Sequence, residues 1–182
     1  VRVLDNLAPP THNGKLPEWF NKKAEFLKGD VREKKDLEKA MKGVSEIFHL
    51  AAYMDYHLDF SNYFDTNTRS TAILYEIILE KELPVRKIIV ASSQSVYGEG
   101  KYHCSKHGIF YPDARPESQL RGHKWEVLCP MDKKPAKILS ELESDWLNPQ
   151  IPYGISKVAL EKTALLLGKI YNIPTVALRY SI

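Results

Sequence analysis

The sequence predicts a doubly wound α/β domain with a parallel sheet and a loop-rich insertion. Three observations carry that prediction: five short apolar runs, helical periodicities between them, and one long polar stretch that breaks the alternation. Val1-Arg2-Val3-Leu4-Asp5 reads as a strand without a leader, ending on an acid before the turn-prone Asn6. Residues 24–27, 46–50, 87–91 and 175–179 are apolar runs short enough to be buried on both faces, as parallel core strands are. A helix over 33–42 has Gly43 placed to close it. A longer helix, with Leu74, Ile77 and Ile78 on one stripe, ends at Leu83-Pro84, and a third over 152–171 repeats Leu160, Ala164, Leu167 and Tyr171. Residues 101–150 are too long for a strand-to-helix loop and carry His103, Cys104, His107, Trp125 and Cys129. The expected organisation is therefore a core over 1–100, an insertion over 101–150 and a return to the core over 151–182.

Composition excludes several classes. With 182 residues, 43% of them hydrophobic and 10% aromatic, the chain can bury a core and is neither disordered nor collagenous. No run approaches the roughly 18 to 20 apolar residues that span a bilayer, and residues 1–6 do not form a signal peptide. The expectation is a soluble, cytoplasmic protein without a membrane partner. The 26 Lys+Arg and 23 Asp+Glu give a net charge of +3 with the signs interspersed, so no basic face marks a nucleic-acid partner. Two cysteines are too few for a disulfide framework.

The sharpest local pattern is Tyr153-Gly154-Ile155-Ser156-Lys157, where Tyr153 and Lys157 share one helix face. A phenol with a pKa of about 10 is a poor base at neutral pH, but an ammonium one turn away favours the phenolate. The bare pattern is common on surface helices, so its context matters. The run over 87–91 leads into Ser92-Ser93-Gln94-Ser95-Val96-Tyr97-Gly98, which places hydroxyls at a strand's carboxyl end, where open α/β sheets bind ligands. Turn chemistry alone would also explain a serine cluster there.

Taken in order, Val3-Leu4-Asp5-Asn6, Gly29-Asp30-Val31-Arg32, Ile47-Phe48-His49-Leu50-Ala51-Ala52, Asp65-Thr66-Asn67, the Ser92 to Gly98 stretch, Tyr153 to Lys157 and Leu178-Arg179-Tyr180-Ser181 resemble the extended short-chain dehydrogenase/reductase family, the NAD-dependent epimerase/dehydratase group. The resemblance covers nearly the whole chain apart from the insertion. It implies a Rossmann-like core, NAD as cofactor, a nucleotide-sugar substrate and a homodimer as the assembly to look for. Asp5 would accept hydrogen bonds from the adenosine ribose and repel a 2′-phosphate, favouring NAD over NADP. Asp30 and Val31 would meet the adenine, Ala51 and Ala52 would let the backbone approach the cofactor, and Asn67 would line the same crevice. Asn6, Leu50 and Tyr180 complete the implied cofactor set, together with Tyr153 and Lys157. The implied catalytic residues are Ser93, Tyr153 as acid/base, and Lys157, which also holds the nicotinamide ribose. His49, inside an apolar strand, reads as a core histidine.

The family's 4,6-dehydratases carry Asp-Glu after the serine, where this chain has Gln94 and Ser95, neither of which can serve as that acid/base pair. The reading moves to an epimerase, a 4-keto reductase or a dehydrogenase. In the insertion, Cys104-Ser105-Lys106-His107 and Cys129-Pro130-Met131-Asp132 form two Cys-x-x-ligand pairs with 21 residues between them, similar in layout to a zinc ribbon or knuckle. Asp132 departs from the usual ligand set, and two merely buried cysteines are the alternative.

The glycine-rich G-x-x-G-x-x-G turn is not in this sequence, where Gly14, Gly29 and Gly43 stand apart. The chain therefore reads as the middle of a longer protein. In a doubly wound sheet of order 3-2-1-4-5-6, its runs would take places 2, 3, 4, 5 and 6. Either a gap of about 9 to 10 Å, twice the ordinary strand spacing, or direct closure of strands 2 and 4 is expected, and with it aggregation, NAD binding that is weak or absent, and no turnover by the isolated chain. Two function classes stay open: an NAD-dependent enzyme, or a non-catalytic ligand-sensing or interaction protein that presents a metal-binding insertion.

Overall fold

The computed structural model describes residues 1–55 and 57–181. In chain order the elements are β1 (Arg2–Asp5), β2 (Glu25–Lys28), α1 (Lys34–Met41), β3 (Glu46–His49), α2 (Ser61–Tyr63), a π-helical stretch (Phe64–Arg69), α3 (Ser70–Glu80), β4 (Lys87–Ser93), a 3₁₀ turn (Gln94–Tyr97), β5 (Tyr102–Cys104), β6 (Gly108–Phe110), α4 (Glu117–Arg121), β7 (Lys137–Ile138), α5 (Pro152–Ile170) and β8 (Thr175–Tyr180). The chain forms two compact units. One contains Val1–Ala91 and Ala159–Leu178, and the other contains Ser92–Val158 with the residues from Arg179 on.

The first unit holds the doubly wound core. β1 pairs with β2 in parallel, Val3 opposite Phe26, and β3 pairs with β4 in parallel, Ile47 opposite Ile88. The strand order of the second sheet is β3-β4-β8. Among the described residues no ladder joins β1 to β3. A cleft of about 1320 Å³ lies there instead, lined by Val1 to Asn6 on one side and Glu46 to Ala52 on the other. Of the two arrangements open to the sheet, the gap is the one observed.

Strand burial departs from expectation. Among the described strands of this unit, only β4 is buried along most of its length, with Ile88 and Val90 fully inaccessible, whereas Phe48 and Leu50 are 63% and 52% exposed. The reason is positional: β4 has neighbours on both sides, while β3 turns one edge and part of one face to the cleft. The helices bury most of their stripes, the exception being Tyr171, which lies one residue past the end of α5 and is 47% exposed. Leu37 and Met41 of α1, Leu74, Ile77 and Ile78 of α3, and Leu160 and Ala164 of α5 pack around Ile88 and Val90. Gly43, with φ of +73°, takes the left-handed conformation after α1 that glycine permits without steric cost. His49 is buried, its Nε2 2.9 Å from Ser70 Oγ, as a satisfied core histidine should be. Among the described residues no helix is long and apolar enough to cross a membrane.

The second unit carries a three-stranded antiparallel sheet, β6-β5-β7, with Tyr102 opposite both Phe110 and Ile138. Its frame is a buried ion pair, Lys101 Nζ to Asp145 Oδ2 at 2.6 Å, with Tyr111 and the Leu142 amide also donating to Asp145.

Tyr75 ties the first unit together from inside α3. Its hydroxyl donates to the Ala164 carbonyl of α5 at 3.0 Å and lies 2.7 Å from Thr175 Oγ1 at the start of β8. Tyr75→Phe leaves both partners without it in a site that is 1% exposed, so a loss of about 1 to 3 kcal/mol is expected in urea unfolding. A midpoint unchanged from wild type would show that these contacts contribute nothing.

Candidate functional site

At the end of β1 the chain turns on the Asp5 side chain, whose Oδ1 accepts from the Leu7 amide at 2.7 Å while Oδ2 faces His12 Nε2 at 3.8 Å. At the end of β2, Gly29 sits where an added Cβ would lie 2.8 Å from Asp36 Oδ2 and 2.9 Å from Leu4 Cδ1, so a side chain there would have to displace those two. Asp30 follows, and Arg32 clamps it with two guanidinium contacts at 2.7 and 3.0 Å plus its own amide, while Asn6 donates at 3.1 Å. The Arg32 hydrogen bonds hold the Asp30 carboxyl down at about 2. Asp5, Asn6, Asp30, Val31, Leu50, Ala51 and Ala52 all line the same cleft.

Two refinements follow for the implied cofactor contacts. Both Asp30 oxygens are already engaged by Arg32 and Asn6, a clamp that the sequence did not signal, and Asp30 and Val31 still line the cleft. Asn67 does not reach the crevice. It is fully buried in the π-helical stretch, its Oδ1 accepting from the Tyr53 amide at 2.8 Å and its Nδ2 donating to the Tyr53 carbonyl at 3.1 Å. An asparagine in this pattern can clamp a loop as readily as it can line a pocket, and here it positions Tyr53, which does line the cleft.

The second unit brings together the strand-end serine and the first turn of α5. Ser93, 8% exposed, caps the 3₁₀ turn by accepting from the Ser95 amide at 3.1 Å, with Ser95 Oγ 3.2 Å away. Gly154 packs on that turn: a Cβ there would lie 2.6 Å from the Ser95 carbonyl oxygen and 3.0 Å from Pro149 Cβ. Tyr153 and Lys157 are on the same helix, the Lys157 Nζ 5.7 Å from the Tyr153 ring centroid. Ser156 turns inward, bonding the Tyr153 carbonyl at 2.7 Å. Lys157 is 1% exposed, and burial pulls its ammonium down to about 8. Tyr180 stands in the same unit at the end of β8, 51% exposed. Such an arrangement offers a serine hydroxyl at a strand end and a phenol with a buried cation one helical turn away, a set suited to moving one proton.

The insertion supplies a separate cluster. Ligand atoms of Cys104, His107, Cys129 and Asp132 all lie within 4.8 Å of one another. His107 Nδ1 is 3.5 Å from Cys104 Sγ, 3.3 Å from Cys129 Sγ and 3.9 Å from Asp132 Oδ2. Backbone hydrogen bonds, from Lys106 first, lower the Cys104 thiol to about 7, and the Lys134 amide lowers the Asp132 carboxyl.

Two expectations test the Tyr153 platform. Gly154→Ala should cost about 1 to 3 kcal/mol because backbone, not a flexible side chain, blocks the new Cβ, whereas Gly122→Ala, whose Cβ would meet nothing closer than 3.4 Å, should stay within about 0.5 kcal/mol of wild type. Equal urea midpoints for the two variants would contradict the packing. For Lys157 the folded pKa of about 8 lies below the ordinary 10.5, so between these values the unfolded chain binds more protons and stability rises with pH. Below about 8 the buried charge carries its full penalty. Melting curves of wild type and Lys157→Met should therefore converge across that window as the penalty disappears, and a constant separation would refute the depressed pKa.

Residues 1–117 match the family described as NAD dependent epimerase/dehydratase family. Among curated proteins, a dTDP-L-rhamnose 4-epimerase of Burkholderia thailandensis is 28% identical over 167 residues, 87% of this chain and 44% of that protein. A UDP-glucose 4-epimerase of Lacticaseibacillus casei is 28% identical over 185 residues, 99% of this chain and 43% of that protein. The chain thus spans about half the length of the curated relatives it matches. In fold it resembles a UDP-glucuronic acid 4-epimerase from Bacillus cereus solved in complex with NAD, with a TM-score of 0.63, 24% identity, and coverage of 98% of this chain and 47% of that one. The match runs through the β1 and β2 ends, the Ala51-Ala52 turn and the Ser93 strand, and on that ground the chain belongs to the NAD dependent epimerase/dehydratase family.

Proposed function

We propose that this chain carries the proton-transfer machinery of an NAD-dependent nucleotide-sugar 4-epimerase. The observation that supports the reading best is the buried Lys157 ammonium one turn from Tyr153 on a helix that packs against the Ser93–Tyr97 turn. Relatives named as 4-epimerases favour epimerisation over simple reduction.

The cleft fits the adenosine end of NAD. Asp5 presents a carboxylate at a strand end, and Ala51 and Ala52 leave the backbone open to close approach. Bound NAD would supply the hydride acceptor. The chain's own residues supply the rest. Ser93 donates a hydrogen bond to the sugar oxygen and holds it for transfer. Tyr153 removes the hydroxyl proton as the carbon becomes a ketone and returns it when hydride is delivered to the opposite face. Lys157, still charged at pH 7, stabilises the phenolate, and its burial strengthens that interaction by excluding water. Gln94 and Ser95 offer no second acid/base, so water elimination is not part of the cycle.

The test is turnover of UDP- and dTDP-hexoses by a protein in which this chain is extended to the full length of its 4-epimerase relatives. Tyr153→Phe should lower turnover by about 10²- to 10⁴-fold and leave NAD affinity nearly unchanged. Equal turnover in the two proteins would sink the assignment. NAD binding without any turnover in the unsubstituted protein would favour the non-catalytic, ligand-sensing reading.

A further inference from the structure

Between Lys101 and Gln150 the buried apolar side chains are Cys104, Val127 and Cys129. Trp125, Met131, Ile138, Leu142 and Trp146 are all more than half exposed. A module this thin in core needs another source of order.

Its two turns are built alike. In the first, β5 ends on Cys104 and the chain reverses through His107 into Gly108, which has φ of +82°. In the second, Leu128 bridges Pro135 in antiparallel fashion, the Cys129 amide donates to the Lys134 carbonyl at 2.8 Å, and the chain reverses through Asp132 into Lys133, with φ of +58°. Each turn therefore runs cysteine, two residues, second ligand, then a left-handed residue. The Lys133 amide returns to the Cys129 carbonyl at 3.0 Å in the second turn.

From this geometry we infer that Cys104, His107, Cys129 and Asp132 form a tetrahedral zinc site that staples the two turns. Zinc bonds of about 2.3 Å to sulfur and about 2.1 Å to nitrogen put ligand atoms about 3.4 to 3.8 Å apart along the tetrahedron's edges. Separations of 3.3, 3.5 and 3.9 Å from His107 Nδ1 to its three neighbours fall on or beside that range. A single imidazole nitrogen carries either one proton or one lone pair and cannot bond all three neighbours, whereas a cation at their centre can. Two thiolates with an imidazole select zinc over calcium or magnesium, which take oxygen ligands. His107 binds through Nδ1, leaving Nε2 to carry the ring proton. Both cysteines are free thiols, so no disulfide competes for the sulfurs.

The test needs no substrate and is independent of the epimerase reading. The 182-residue chain, purified with its thiols reduced, should hold about one zinc per chain through dialysis. Replacement by cobalt(II) should give the intense visible bands and thiolate charge-transfer absorption of a tetrahedral sulfur-ligated ion. Cys104→Ser and Cys129→Ser should each weaken zinc by at least about tenfold, while Asp132→Cys should tighten it, a gain that misfolding cannot produce. Chelation should expose residues 101–150 to protease ahead of the rest. A chain that takes up no zinc, a pale octahedral cobalt spectrum, or Asp132→Cys without tighter binding would overturn the site.

Discussion

A strand in a parallel sheet has two edges of backbone donors and acceptors, and each is either paired with a neighbour or left to water. In this chain β1 and β3 each have one neighbour, β2 and β4, and their remaining edges border a cleft instead of joining through a ladder. Much of the rest follows. Phe48 and Leu50 stand exposed because β3 lacks cover there, and the residues that end the strands collect around one opening. The stable part of the first unit is consequently the side away from that opening, where α3, α5 and β4 close a continuous core and Tyr75 bridges helix to strand.

The placing of Tyr153 and Lys157 depends on a different kind of contact, the close approach of two backbones. Gly154 lets the first turn of α5 rest on the Ser95 carbonyl, and that seat determines where Tyr153 starts and where Lys157 lands one turn later. Lys157 then bears a burial penalty that an exposed lysine would not, and its lowered pKa records the penalty.

Much of this was legible in the sequence because the controlling features are local. The alternation of apolar runs and 3.6-residue stripes predicts every core strand and helix to within a few residues, Gly43 marks the end of α1, and Tyr-x-x-x-Lys puts two side chains on one face whatever surrounds them. The Cys-x-x-ligand spacings likewise anticipate the convergence of Cys104, His107, Cys129 and Asp132. What was not legible depends on partners distant in sequence. Strand runs such as 46–50 look doubly buried until the sheet shows which edges have neighbours. Asn67 looks like a pocket amide until Tyr53, 14 residues away, takes both ends of it. The π-helical stretch that turns Asn67 inward has no compositional mark, and neither does the Arg32 clamp that saturates Asp30.

The ion pair between Lys101 and Asp145 has a consequence for how this chain can vary. It joins two positions 44 residues apart with both side chains only 9% exposed, and Tyr111 and the Leu142 amide complete the joint. With its ends pinned together, the intervening stretch is a closed loop hung from a fixed collar. The entropy of closing such a loop rises by only about 0.6 kcal/mol for each doubling of its length. The irregular connections between the strands and turns of this stretch can therefore be lengthened or trimmed at little thermodynamic cost, and the collar keeps such changes from disturbing the strand and helix that bear Ser93 and Tyr153.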